Sequence, residues 1–98
     1  MADAPESSNM VERDVTITNK LGLHARASAK LVQLLQGFKA NAWLVHRGRE
    51  INAKSIMGVM MLAAGIGQTI TLRADGPDEA AALAAMADLF ARKFDEGA

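Results

Sequence analysis

The sequence predicts an α+β fold in which three helices cover one face of a four-stranded, mostly antiparallel sheet. Two patterns carry this prediction. Short stretches alternate apolar and polar residues, as half-buried strands do, and they are interleaved with stretches whose apolar residues recur every three or four positions, as in helices. The order along the 98 residues is β-α-β-β-α-β-α. We expect a flexible leader over residues 1–12 and one domain over residues 13–98, because a chain of this length can build a single core.

Four stretches carry the strand pattern. The first covers residues 15–18, with two β-branched apolar residues at alternate positions. Residues 42–47 and 49–52 flank Gly48 and predict a hairpin. Residues 68–74 alternate again and predict the fourth strand.

Three stretches carry helix signals. Residues 25–36 present an apolar stripe expected to face the core, formed by Ala27, Leu31, Leu34 and Leu35. Ser55 is a favoured N-cap residue for a short apolar helix over residues 56–63, in which Val59, Leu62 and Ala63 are expected to face the sheet. Pro77, followed by two acidic residues, predicts the start of a third helix that runs to about Phe94.

Composition excludes several classes of function. Eleven basic and eleven acidic residues cancel, so no electrostatic footprint for nucleic acid is present. Cysteine is absent, which excludes disulfides and thiolate metal sites. We expect no metal centre and no cofactor, and we interpret His46 as a solvated residue at a strand end. The sequence has no signal peptide pattern and no apolar stretch of membrane-spanning length, so we expect a cytoplasmic protein without membrane insertion.

His24 directly precedes the first predicted helix, and Arg26 lies in the first turn of that helix. A helix N-terminus offers unpaired N–H groups and partial positive charge, and arginine adds planar donors suited to phosphate oxygens. A neutral imidazole nitrogen can attack phosphorus, so this pattern is compatible with a histidine that carries a phosphoryl group. On these residues alone, a surface histidine ahead of a helix is the more economical interpretation.

The longer motif changes that balance. Residues 19–30, N-K-L-G-L-H-A-R-A-S-A-K, resemble the active-site signature of HPr, the histidine-containing phosphocarrier family of the bacterial sugar phosphotransferase system. Residues 52–60, N-A-K-S-I-M-G-V-M, resemble that family's second motif, around its regulatory serine. The resemblance covers residues 11–96 and implies an open-faced sandwich.

The resemblance also implies residue roles and partners. His24 would be phosphorylated on Nδ1, Arg26 would attend the phosphate, and Ser55 would be the serine that a dedicated HPr kinase/phosphorylase modifies in some bacteria. Phosphorylated enzyme I, charged from phosphoenolpyruvate, would donate to His24, and enzyme IIA domains would accept. The protein would thus be a stoichiometric carrier and not an enzyme, and we expect a monomer.

One residue departs from the family pattern. Ala27 stands where most members have proline after the arginine. Alanine is an excellent helix former, so we expect the first helix to form, with a somewhat less rigid first turn.

Four apolar side chains in and around the second helix cannot all be buried: Ile56, Met57, Met60 and Met61. They are either core filler or an exposed docking patch beside His24, and the resemblance favours the patch because HPr proteins dock through their first two helices. Ala25, Ala29 and Gln33, on the outward side of the first helix, would complete this face. We further expect His24 to lie where two helix N-termini meet, its own and the one capped by Ser55.

Two alternatives remain open. One is a nitrogen-related phosphocarrier of the NPr type, which serves a regulatory relay instead of sugar uptake. The other is a regulatory binding module that acts through phospho-Ser55 and does not require His24.

Overall fold

The computed structural model describes residues 10–96, which form four strands, three α-helices and a short C-terminal 3-10 turn. The bounds are β1 (Val11–Thr16), α1 (Ala25–Leu35), β2 (Asn41–His46), β3 (Arg49–Asn52), α2 (Ile56–Met61), β4 (Thr69–Asp75), α3 (Glu79–Ala91) and the turn Lys93–Asp95. The strands pair antiparallel in the order β1-β4-β2-β3, so the first strand lies beside the last. Within the described part of the chain, no helix combines the length and hydropathy needed to cross a bilayer. The predicted α+β fold class and element order are confirmed.

The core lies between the sheet and the helices. Strands β2 and β4 alternate buried and less buried side chains along their whole length, with Leu44 opposite Leu72. The helices contribute Leu31 and Leu35 from α1, and Met86 and Phe90 among others from α3, all buried. Burying one face of each element in this way is what keeps the short helices in place.

Strand β1 begins at Val11, four residues before the expected start, so Val11 and Glu12 belong to the sheet and not to a leader. The leader's residues 1–9 lie outside the described residues. The early start of this strand was not expected, because Glu12 and Asp14 are charged and interrupt the apolar pattern. Both residues lie on the open face of the sheet. There Glu12 pairs with Arg73 at 2.5 Å, and Asp14 accepts a hydrogen bond from the Thr71 hydroxyl at 2.6 Å.

The second and third helices also end differently from expectation. Helix α2 stops at Met61, and Ala63 is exposed with a left-handed φ of 51°, so Ala64 takes the buried place expected of Ala63. Helix α3 begins at Glu79, two residues after Pro77, and ends at Ala91. The chain then enters a turn with three successive left-handed residues, which nevertheless buries Phe94 as expected.

Candidate phosphoryl site at the start of helix α1

The loop before α1 fixes the position of His24. Gly22 has a φ of +65°, and a Cβ there would lie 2.6 Å from the carbonyl oxygen of Ala64. The next residue, Leu23, donates its N–H to that same oxygen at 3.0 Å. Only glycine fits this conformation and this close approach, so the loop is attached to the segment that follows α2.

His24 is the N-cap residue of α1, with extended backbone dihedrals of −74° and 179°. Its carbonyl accepts the first helical hydrogen bond from Ser28 N at 2.9 Å, whereas its ring makes no capping hydrogen bond within residues 10–96. The N–H groups of the first helical turn are those that an α-helix leaves without intrahelical partners. The histidine therefore stands beside a group of donors that suit an anion.

Ser28 is fully buried, and its hydroxyl donates to the carbonyl of Leu23 at 3.2 Å. The apolar stripe predicted for α1 omitted this residue and included Leu34, which is only partly buried. A serine can be buried when its hydroxyl donates to a nearby carbonyl. The residue type alone does not predict this, so the burial of Ser28 was not expected from the sequence. The bond stiffens the turn that carries His24.

Two further residues complete the site: Glu96, which follows the C-terminal turn, and Asn19, in the loop before α1. Neither was predicted from the sequence. Glu96 Oε2 is hydrogen-bonded to His24 Nε2, and the same oxygen accepts from Asn19 Nδ2 at 3.0 Å. Asn19 is fully buried and also donates to the carbonyl of Gly22 at 2.8 Å. Glu96 lies 72 positions after His24 in the chain, so no local pattern announces the contact.

Three basic and two acidic side chains line an open cavity of about 510 Å³ next to the histidine. Arg26 is exposed at its edge, and Lys30 reaches Asp95 at 3.6 Å. The hydrogen bonds of the Arg92 guanidinium, aided by the charge of Lys30, hold the pKa of Asp95 below its ordinary value. The cavity is large enough for a phosphoryl group, and its lining residues are Lys20, Leu21, His24, Arg26, Lys30, Phe94, Asp95 and Glu96.

Ser55 caps α2, as predicted: its hydroxyl accepts from Gly58 N at 3.0 Å. It does not lie beside His24. The adjacent Lys54 donates to the carbonyl of Phe38, just beyond the end of α1, whereas the His24 loop contacts Ala64 beyond the end of α2. The expectation that two helix N-termini meet at His24 is therefore wrong, because the segment after α2, and not its N-terminus, contacts the His24 loop.

The four apolar side chains at issue form an exposed surface, which we call the methionine patch: Ile56, Met57, Met60 and Met61, exposed by 42%, 71%, 41% and 58%. The core-filler alternative is thereby excluded. Leu21 and Ile66 are also exposed and come from the two segments joined by the bond between Leu23 and Ala64. Exposed apolar groups of this number on one small domain indicate an interaction surface.

The remaining predicted positions have mixed outcomes. Ala25 and Gln33 are exposed on α1, and Ala29 is half-buried. Helix α1 forms with Ala27 in its first turn, fully buried, as expected for this substitution of proline. His46 is buried, with 8% of its surface exposed, so its interpretation as a solvated residue is wrong.

Comparisons with known proteins agree with this geometry. Residues 11–92 match the family model described as PTS HPr component phosphorylation site. The chain is 60% identical over 88 residues to phosphocarrier protein HPr of Cupriavidus necator, covering 90% of this chain and 99% of that one. It is 49% identical over 86 residues to phosphocarrier protein NPr of Shewanella violacea, covering 88% and 94%.

A solved structure shows the same fold. The crystal structure of HPr-C-His from Thermoanaerobacter tengcongensis superposes with a TM-score of 0.84 at 42% sequence identity, over 88% of this chain and 97% of that one. The predicted open-faced sandwich is thus confirmed by both the element order and a solved relative.

Proposed function

The chain belongs to the HPr family of phosphocarrier proteins of the phosphotransferase system, and from this premise we propose that His24 accepts a phosphoryl group from phosphorylated enzyme I and passes it to enzyme IIA domains. The observation that carries the proposal is the position of His24, at the N-terminus of α1 and at the edge of a cavity lined by three basic side chains. Enzyme I would itself be charged from phosphoenolpyruvate.

The transfer needs little beyond positioning and charge. A nitrogen of His24 attacks the phosphorus in line, the bond from phosphorus to the donor nitrogen of enzyme I breaks, and the donor keeps that electron pair. The free N–H groups of the first turn of α1 and the Arg26 guanidinium then receive the phosphoryl oxygens. The protein acts as a stoichiometric carrier, and an acceptor protein completes each cycle.

The methionine patch would dock these partners, together with Ala25, Ala29 and Gln33 on α1. Unbranched methionine side chains adapt to surfaces of different shape, which suits a carrier that must meet a donor and several acceptors in turn. The patch lies on the helix that ends next to the His24 loop, so a partner seated there would also reach the histidine.

Ser55 would add regulation. Ser55 is half-buried at the N-terminus of α2, where a phosphoryl dianion is electrostatically favoured. Phosphorylation by an HPr kinase/phosphorylase would place negative charge next to Ile56 and Met57 and thereby weaken docking to enzyme I. A binding module that works through phospho-Ser55 alone would leave the arrangement around His24 without a role.

A nitrogen-related relay is the second candidate, because the chain is also similar to NPr of Shewanella violacea. Higher identity to HPr of Cupriavidus necator favours the sugar branch. Measuring which of the two types of enzyme I phosphorylates the chain faster separates them. We further propose that the carrier works as a cytoplasmic monomer, which size-exclusion chromatography with light scattering tests.

The central experiment incubates the chain with phosphoenolpyruvate and enzyme I. We expect one acid-labile, alkali-stable phosphoryl group per chain, none on His24→Ala, and a transfer rate lower by roughly 100-fold on Arg26→Ala. Arg13→Ala, which removes an exposed arginine from β1, is the matched control and should transfer at the normal rate. Labelling that persists in His24→Ala would refute the proposal.

A further inference from the structure

Glu96 contacts the histidine ring directly, and the contact has a defined direction. The Glu96 carboxylate, when ionised, can only accept hydrogen bonds. The hydrogen between Glu96 Oε2 and His24 Nε2 must therefore belong to Nε2. Since a neutral imidazole carries one ring hydrogen, Nδ1 is left with its free electron pair.

Asn19 fixes the carboxylate in turn. Its side-chain nitrogen lies between two acceptors, the carbonyl of Gly22 and Glu96 Oε2, so its amide can be oriented in only one way. With this orientation, Asn19 Oδ1 is buried without a partner among residues 10–96. Asn19 thus uses both side-chain N–H groups and leaves its oxygen unpaired. The two acceptors, one of which is Glu96, therefore hold the amide in place.

Side-chain contacts hold the turn that precedes Glu96 in an unfavourable backbone conformation. Lys93, Phe94 and Asp95 all have left-handed φ values, between 54° and 60°, which is unfavourable for residues with a Cβ. Phe94 compensates by burying its ring edge-on against Phe90, with the ring centroids 4.8 Å apart. Asp95 is held by Arg92 at 3.1 Å and by Lys30 on α1 at 3.6 Å.

We propose that Glu96 is a positioning residue for phosphoryl transfer, held by Asn19, which directs the reaction to Nδ1 of His24. The proposal rests on the proposed function. During transfer the Nδ1 electron pair forms the new bond to phosphorus, and the bond from phosphorus to the donor breaks towards the donor. The ring keeps its Nε2 hydrogen and becomes positively charged, and the negative charge of Glu96 offsets this charge. No proton has to leave the site in either direction of transfer.

The first test needs no partner protein. In nitrogen-15 NMR spectra of the full chain, the Nε2–H of His24 should be visible and protected from exchange with water. Glu96→Ala removes the acceptor and should abolish this protection, whereas Glu96→Gln keeps an oxygen acceptor and should retain part of it. Asp88→Ala, which removes an exposed carboxylate from α3, is the charge-matched control and should resemble the unmodified chain. Equal protection in all four proteins would overturn the proposal.

The second test follows the reaction itself, with phosphoenolpyruvate and enzyme I. We expect phosphorylation only on Nδ1 in the unmodified chain and in Asp88→Ala. In Glu96→Ala the rate should fall about 10-fold, with a measurable share of product on Nε2, identified by its phosphorus-31 and nitrogen-15 shifts. Glu96→Gln should keep the Nδ1 product at a reduced rate, because it retains the hydrogen bond and loses the charge.

Asn19→Asp is a second variant with nearly the same shape. It replaces the donor to Glu96 by another acceptor, and we expect it to mix the two products as Glu96→Ala does. Urea unfolding of each variant verifies that the chain is folded. If the unmodified chain is not phosphorylated, the proposed function fails. If it is phosphorylated and all Glu96 variants match it in rate and product, only the present inference fails.

Discussion

The two helix N-termini of this domain are built in different ways. Ser55 caps α2 with its own side chain, through a hydrogen bond to a residue three positions further on. His24 caps α1 with its backbone only, and its ring is held by Glu96, 72 positions further along the chain. One terminus is complete from a few consecutive residues, and the other is complete only when the whole domain is folded.

This difference separates capping from reactivity. A side chain that caps its own helix is a structural group first, because its oxygen already accepts a hydrogen bond from a helix N–H. A side chain that leaves the cap to water or to a ligand keeps the helix N–H groups available for an anion. The first arrangement suits a regulatory position, and the second suits a position through which phosphate passes.

The largest effect is expected from removing the anchor of the His24 end. Phe94→Ala deletes a fully buried ring and should lower the free energy of unfolding by about 3–5 kcal/mol. It should also release Glu96 from the histidine, since the left-handed turn loses its compensating contact. Urea unfolding measures the first effect, and loss of protection of the His24 Nε2–H measures the second.

Phe38, half-buried beyond the end of α1 and close to Lys54, is the matched aromatic at the Ser55 end. Phe38→Ala should destabilise the fold less and leave the His24 ring as it is. If both variants disturb the ring equally, the two ends are not independent.

The close approach of the His24 loop to the segment after α2 gives the next largest effect. Gly22→Ala introduces a Cβ 2.6 Å from the Ala64 oxygen as well as strain from a positive φ, and should lower the free energy of unfolding by more than about 2 kcal/mol. Gly67→Ala is the matched control, because its φ is +86° and nothing lies within 4 Å of the added Cβ. It should lose only about 1 kcal/mol. Equal losses in the two variants would show that the close contact is unimportant.

The cap of α2 should have a smaller and strictly local effect. Ser55→Ala removes the acceptor for Gly58 N and should lower the free energy of unfolding by about 1 kcal/mol. Ser55→Asp keeps a capping oxygen and should lose much less. Hydrogen exchange at the Gly58 amide should accelerate in the alanine variant alone, while the His24 ring is unchanged in both. A change in the His24 Nε2–H signal would contradict the separation of the two ends.

Acid should weaken both ends slightly. The backbone N–H groups of Lys39 and Ala40 donate to Asp78 and hold its pKa below the ordinary value, as Arg92 and Lys30 do for Asp95. Since both pKa values are lower in the folded state than in the unfolded state, the stability they provide is present above about pH 4. It is lost as the pH falls through the folded pKa values.

Stability measured by urea unfolding at several pH values tests this expectation. Asp78→Asn and Asp95→Asn should each have a shallower loss of stability between about pH 4 and pH 2 than the unmodified chain. Asp88→Asn offers a comparison, because it neutralises another exposed carboxylate, on α3. An unchanged slope in both variants would contradict the assigned contacts.

Much of the fold follows from local patterns. Ser55 as a cap, the hairpin around Gly48 and the alternation of β4 were all predictable, because each depends on residues close together in sequence. The start of β1 was not predictable, since Glu12 and Asp14 fit a strand only because Arg73 and Thr71 lie opposite them on β4. The end of α3 was missed for a similar reason. Phe94 fits the helical stripe, and burial of its ring is achieved from a left-handed turn instead.

The site divides in the same way. His24 and Arg26 were predictable from a motif, and the exposure of the methionine patch from an excess of apolar residues in one short helix. Asn19, Ser28 and Glu96 were not, because their hydrogen bonds join the loop, the helix and the C-terminal turn. The position of Ser55 relative to His24 also depends on how α1 and α2 pack, which the sequence pattern does not specify.

The pairing of β1 with β4 has a consequence for synthesis. The ribosome makes β1 and the His24 loop before α2 and before the strand that β1 pairs with, and it makes Glu96 72 residues after His24. Until β4 and Glu96 have been made, neither the edge of the sheet nor the histidine contact can close. Contacts so distant in sequence slow folding, because the entropy cost of closing the loop precedes the gain from the contact. A nascent chain therefore exposes His24 without its carboxylate until Glu96 has been made.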